Sequence, residues 1–314
     1  MKQFAFIFPG QGSQFVGMLD AWGAHPVVLQ TLQEASDALG EDIAALIHNG
    51  PNEALSLTTN TQPAMLVAGV AAWRVWQAEG GASPAAVAGH SLGEYSALVA
   101  AGVLTLAQAV PLVRLRAVAM QEAVPVGTGA MAAVLGLPAA RVQQICTDIT
   151  AQYRKTEVVE AVNFNDPIQT VIAGSKTAVA AAAAAMKEAG AKRTLPLPVS
   201  APFHSSLMQP AAEKLKTALS MLELSAPQFP VINNIDVAVQ TSADAIRDAL
   251  YRQAFGPVRW VECVQAIKAR GITHLVECGP GKVLTGMTKR IDTHLHGSAF
   301  YDPATLAQVK ELLA

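Results

Sequence analysis

The chain has 314 residues, 51% hydrophobic and 15% charged, so it can bury a large core and is not globally disordered. Its formal charge of −2 comes with no cluster of Lys and Arg, which excludes the basic footprint of a nucleic-acid binder. Cys146, Cys263 and Cys278 lie far apart, form neither a disulfide framework nor a zinc pattern, and suit a reducing compartment.

Residues 3–8, QFAFIF, are a short apolar run closed by Pro-Gly and predict a buried strand. The stretch from Lys2 to Pro9 is too short for a secretory apolar segment. No stretch reaches the roughly 18 uninterrupted apolar residues of a membrane span. A cytoplasmic globular protein is expected. Helical periodicity covers 26–48 and 61–79, and AAVAGHS then supplies a second buried strand. A small-residue helix begins at Glu94, and 105–123 continues as helix. Strands alternating with helices predict a mainly parallel sheet covered on both faces.

The texture changes at PVGTGAM, 125–131. Beyond it the pattern predicts a strand at 130–135, a helix at 138–150, strands at 158–163 and 169–174, a helix at 176–189 and a strand at 192–197. That βαββαβ order is the order of a ferredoxin-like unit. The chain resumes with APFHSSLM, a helix, a strand around 231–233 and a last strand within THLVECGPG, 273–281. An α/β core of residues 1–126 and 199–314, interrupted by an inserted subdomain over 127–198, is the simplest organisation.

GHSLG, 89–93, matches G-x-S-x-G, the elbow that exposes a nucleophilic serine between a strand and a helix. The glycines suit a strained turn in which helix and strand pack closely. Ser91 then stands at a helix N-terminus, where the Leu92 amide can meet a developing oxyanion. A tight turn with an incidental serine is the plainer alternative. A nucleophilic serine also needs a base. His25, His48, His274, His294 and His296 lie in ordinary helical or C-terminal contexts, and the side chain of His90 is expected to point away from the serine. His204 differs, because SAPFHSS is a loop following the insertion and preceding a helix. No acid between Ser91 and His204 stands out as a triad partner; Asp148 and Asp166 read as solvated surface.

Taken together, FPGQGSQ (8–14), TQPA (61–64), GHSLGEYSAL (89–98), EAVPVGTGAMAAVLG, VNFNDPIQTVIAG (162–174), APFHSSLM and VECGPGKVLTGMTKRI resemble the malonyl-CoA:acyl carrier protein transacylase family. They run in order over nearly the whole chain. The resemblance implies an α/β-hydrolase-like core with an inserted ferredoxin-like subdomain. It implies ping-pong transfer of malonyl from coenzyme A to the phosphopantetheine thiol of acyl carrier protein, supplying fatty acid synthesis. Ser91 maps to the nucleophile, His204 to the base, and Leu92 and Gln11 to the oxyanion hole. A main-chain carbonyl near Gln253 would orient the histidine in place of an acid. Malonyl-CoA and the phosphopantetheinylated carrier would be substrates, with no permanently bound cofactor or metal, and the enzyme would be a monomer. Transferases of malonate decarboxylase or a polyketide pathway, and a serine esterase, are the alternatives.

Arg114 and Arg116 point to opposite sides of their helix. Leu112, Val113, Ala119 and Met120 surround Arg116 at helical spacing, and a buried guanidinium needs an anionic partner. An incoming malonyl carboxylate or a distant acid could supply it; the resemblance maps Arg116 to the carboxylate-binding arginine. Ala117 departs from the glycine often found after it. Phe203 resembles the malonyl-selective form of its loop. His90, Asn163, Asn165 and Phe203 are candidate substrate contacts, although the two asparagines could equally be turn residues. CGPGKVL, 278–284, fails the phosphate-loop pattern at Val276 and Val283 and reads as a strand-to-helix turn. Lys187, Lys192, Arg193, Lys282, Lys289 and Arg290 are candidates for a rim facing an acidic carrier.

Overall fold

Alternation along the first strand, β1 (Phe4–Phe8), sets the layering. Phe4, Phe6 and Phe8 join a cluster with Trp73 and Trp76, whereas Ala5 and Ile7 join one with Trp260, Val264 and Leu275. A strand apolar on both faces belongs inside a parallel sheet with helices on either side. The computed structural model, which describes residues 2–154, 156–199 and 201–314, has this architecture.

After β1 come α1 (Pro26–Leu39), α2 (Ile43–Asn49), α3 (Asn52–Leu55) and α4 (Thr58–Ala78). The helix expected over 26–48 is two helices, because Gly40 closes α1 and the Asp42 side chain accepts from Ala45 N–H to start α2. Then follow β2 (Ala86–Gly89), α5 (Gly93–Ala100) and α6 (Leu106–Glu122). The middle of the chain holds β3 (Gly129–Leu135), α7 (Ala139–Gln152), β4 (Val159–Asp166), β5 (Gln169–Ser175), α8 (Lys176–Glu188) and β6 (Arg193–Pro196). The last part holds α9 (Gln209–Ser220), β7 (Val231–Ile232), α10 (Ala243–Phe255), α11 (Trp260–Ala269), β8 (His274–Cys278), α12 (Val283–Ile291), β9 (His296–Phe300) and α13 (Pro303–Leu313).

The larger sheet has the order β7-β2-β1-β8-β9, and every pairing in it is parallel. The strand read within 273–281 is therefore not the last one. β9, HGSAF, is an edge strand with its first residues exposed, so it lacks the apolar run that marks β1. The smaller sheet, β4-β5-β3-β6, is antiparallel. One face of it packs on Val142, Ile145 and Ile149 of α7 and Ala178, Val179 and Met186 of α8. From the other face Met131, Val171 and Ala173 meet Met120 and Phe203 of the larger unit.

Backbone bonds tie the two units together. Phe164 N–H donates to Val258 O at 2.9 Å and Val258 N–H to Val162 O at 2.8 Å. Asp166 is buried and paired with Arg290, Nε to Oδ2 at 2.7 Å, which corrects its reading as solvated surface. Arg290 is thereby engaged in the seam. Asp148 is exposed, as expected.

Candidate active site

The chemistry-bearing residues converge on a cleft of about 500 Å³ between the two units, at the C-terminal ends of β1 and β2. That end of an open parallel sheet is where ligands commonly bind. The elbow is built by close approach. A Cβ on Gly89 would lie 1.9 Å from the Gly93 carbonyl carbon, and one on Gly93 would lie 2.1 Å from Phe8 O. Only glycine fits either place. Ser91 between them has φ +53°, a left-handed conformation that side-chain-bearing residues rarely adopt.

His204 also sits at positive φ, +65°, on the loop before α9. Its Nε2 lies 2.6 Å from Ser91 Oγ and its Nδ1 lies 2.9 Å from the Gln253 carbonyl oxygen. A carbonyl can only accept, so Nδ1 carries the proton and Nε2 is free to accept from the serine hydroxyl. Ser205 Oγ donates to Pro202 O at 2.7 Å, and Ser206 N–H donates to Glu160 Oε2 on β4 at 2.6 Å. The histidine loop is pinned from both units.

Arg116 is 2% exposed and comes up from α6 beneath the serine. Its Nη1 donates to Gln62 Oε1 at 2.5 Å, and its Nη2 to Gln253 Oε1 at 3.1 Å and Ser91 Oγ at 3.2 Å. Its guanidinium also lies 5.5 Å from the Tyr95 ring centroid. All three acceptors are uncharged. Arg114, two residues away, instead pairs with Glu41, so the two arginines do face opposite sides.

Burial sets the protonation states. It is the main cause lowering His204 to about 3, and the Arg116 cation adds to it. The histidine is neutral over the physiological range. Burial likewise lowers Arg116 from its ordinary value and lowers His90. Glu94, on the first turn of α5, is pushed up to about 7 by burial, against hydrogen bonds from Asn234 and Gln253.

His90, Asn163, Asn165 and Phe203 all line the cleft, as do Gln11 and Leu92. His90 is not a partner of the serine: its Nε2 donates to Asn165 Oδ1 at 2.8 Å, and its ring lies edge-on to Trp260. Asn163 and Asn165 are strand residues of β4, which corrects the turn reading. Asn163 Oδ1 is buried without a hydrogen-bond partner. Gln11 is anchored by Thr58 Oγ1, which donates to its Oε1 at 2.6 Å. Sequence reasoning missed Gln62, Asn234 and Glu94. A lone charged residue in the otherwise uncharged GEYSALVA was the available signal for Glu94. All three cysteines are free and buried.

A serine on a strained elbow, a neutral histidine against its hydroxyl and a buried cation beside both define an enzyme that handles an acyl group. The chain belongs to the acyl transferase domain family, whose model matches residues 5–295. Malonyl CoA-acyl carrier protein transacylase of Escherichia coli K12 is 56% identical over 313 residues, spanning 99% of this chain and all of that protein. The crystal structure of an acyl-carrier-protein S-malonyltransferase from Burkholderia pseudomallei 1710b is 60% identical, with a TM-score of 0.96 over 98% of this chain and 99% of that one. A malonyl-transacylase solved in complex with a holo type II PKS acyl-carrier protein is 53% identical, with a TM-score of 0.96 over 99% of this chain and all of that one.

Proposed function

We propose that this protein transfers malonyl from malonyl-CoA to the phosphopantetheine thiol of an acyl carrier protein, through an ester on Ser91, and so supplies fatty acid synthesis. The observation that carries the reading is the Arg116 guanidinium, buried among neutral acceptors and 3.2 Å from Ser91 Oγ. A malonyl group is short enough for its free carboxylate to stay within reach of that side chain, which it would grip through two parallel hydrogen bonds.

In the first half-reaction Ser91 Oγ gives its proton to His204 Nε2 and attacks the thioester carbon. The oxyanion is held by the amides of Leu92 and Gln11; the Ser91 amide is already committed to Asn234 Oδ1 at 2.8 Å. Collapse breaks the carbon–sulfur bond, and coenzyme A leaves with the proton from His204. The carrier thiol then gives its proton to His204, its sulfur attacks the ester, and Ser91 Oγ recovers the proton. Gln253 O keeps Nδ1 protonated throughout. A carboxylate on Arg116 also offsets the cation that depresses His204, so a malonyl substrate strengthens the base that must act on it.

Residues 1–126 and 199–314 form an α/β-hydrolase-like core, and 127–198 form an inserted ferredoxin-like subdomain; the order β3-α7-β4-β5-α8-β6 supports this division. His90, Asn163, Asn165 and Phe203 contact the acyl group or its pantetheine arm, and Phe203 narrows the space beside the acyl chain. The chemistry needs no resident cofactor. The enzyme acts as a cytoplasmic monomer that meets a diffusing carrier; among the described residues no helix is long and apolar enough to cross a membrane. The test is a chase: enzyme carrying radiolabelled malonyl is mixed with holo carrier protein. Label should pass to the carrier far faster than to water; equal loss with and without carrier would make the enzyme an esterase.

A further inference from the structure

The mechanism uses no acid, yet a carboxylate is buried directly behind it. Glu94 is 2% exposed and forms no salt bridge among the described residues. The other buried acids have evident tasks: Asp166 pairs with Arg290, and Glu277 accepts from the first amides of α12, Leu284 and Thr285. Glu94 Oε2 accepts from Asn234 N–H at 2.8 Å and from Gln253 Nε2 at 2.9 Å.

Those two residues hold the reacting groups. Asn234 Oδ1 accepts from the Ser91 amide at 2.8 Å, and its Nδ2 donates to Gly89 O at 2.7 Å. Gln253 Nε2 also donates to Ser91 O at 3.0 Å, its Oε1 accepts from Arg116, and its backbone oxygen accepts from His204 Nδ1. A side-chain amide has one donor end and one acceptor end, and Glu94 Oε2, which faces two N–H donors, accepts whether the group is ionised or carries its proton on Oε1. Glu94 and the Ser91 carbonyl together select the Gln253 orientation that offers oxygen to Arg116; the flipped amide would set NH₂ against the guanidinium.

We propose that Glu94 is a positioning residue: one of its oxygens fixes Asn234 and Gln253, and through them the Ser91 elbow, His204 and the Arg116 guanidinium. The inference rests on the acyl-transfer reading above. It assigns the task to the place of an acceptor oxygen and not to the negative charge. The charged groups facing Glu94 are Arg116 on α6 and Asp236 after β7, and Asp236 is itself paired with Arg252.

Two near-isosteres separate place from charge. Glu94→Gln keeps an oxygen where Oε2 stands and loses the charge; Glu94→Asp keeps the charge and draws the oxygen back by one methylene. Ser91 acylation is followed by rapid quench and intact mass over a range of malonyl-CoA concentrations, with thermal unfolding confirming that both variants fold. Glu94→Gln should acylate within about threefold of wild type, and Glu94→Asp should fall about tenfold or more in the rate at saturation. The half-saturating concentration should move less than the rate, because Gln62 still holds Arg116. The reverse order, equal losses, or two variants as fast as wild type would each overturn the assignment. Failure of the wild-type enzyme to take malonyl would instead remove the acyl-transfer reading itself.

Discussion

The two sheets of this molecule face the same cleft and contribute different things to it. The parallel sheet sends Ser91 and the Gln11 loop off the ends of β2 and β1, and the helices around it carry Arg116 and Gln253. Ser91 stands on its elbow in a left-handed backbone conformation, as does His204 on a loop pinned from both sides of the cleft; such conformations persist only when the surroundings over-determine them. The antiparallel sheet offers neutral groups: Asn163, Asn165 and the apolar side chains of Met131 and Val171. Its polar ties to the rest of the molecule include His90–Asn165, Asp166–Arg290, Ser206–Glu160 and the strand-like pairing at Val258. The strained serine and its partners stand on one side of the cleft, and the antiparallel sheet supplies the opposite wall. Substitutions should therefore cost far more on the first side than on the second.

The largest effect should come from His204→Ala, which removes the imidazole proposed as the base against the serine. Single-turnover acylation by malonyl-CoA should slow by at least about 100-fold, the lower end for a lost general base. Next, Arg116→Ala should slow malonyl uptake on the order of 100-fold and leave acetyl uptake much less changed, as expected for losing one half of a buried charge pair. Parallel rate measurements with the two thioesters check it; an unaltered malonyl-to-acetyl ratio would remove selection from Arg116. On the other wall, Asn165→Ala should cost less than about tenfold, since it removes one neutral hydrogen bond to His90. A loss as large as that of His204→Ala would erase the contrast between the two units.

The smallest effect concerns pH and stability. The folded His204 is lowered to about 3 from 6.5, so its contribution is fully present above about 6.5 and is lost as pH falls towards 3. Acid unfolding of His204→Ala, followed by circular dichroism and compared with the same variant's stability at pH 7, should therefore set in at lower pH than wild type predicts. Glu94 has the opposite sign. Raised to about 7 from 4.5, it favours the fold below 4.5 and loses that contribution as pH rises through 7.

Local signals carried much of this site into the sequence. FAFIF and AVAG are apolar on both faces, and the elbow glycines announce a close approach that the structure shows at 1.9 and 2.1 Å. The Arg116 stripe announces burial, because its helical neighbours are all apolar. What stayed hidden depends on distant partners. Glu94 meets Asn234 and Gln253 across 140 and 159 positions, and no periodicity encodes those bonds. Asp166 read as surface because Arg290, its partner, lies 124 positions away. β9 was hidden for another reason: an exposed edge strand has no continuous apolar run. The stretch between 233 and 273 gave no assigned element, although α10 supplies both the carbonyl for His204 and the amide for Arg116.

The central claim is that Ser91 stores a malonyl group held by Arg116. Its most direct test is peptide mass mapping after brief exposure of the enzyme to an equimolar mixture of malonyl-CoA and acetyl-CoA. The account predicts a malonyl ester on Ser91, a much smaller acetyl fraction, and no ester at all in Ser91→Ala. An acyl group on another residue, or equal malonyl and acetyl occupancy of Ser91, would contradict it.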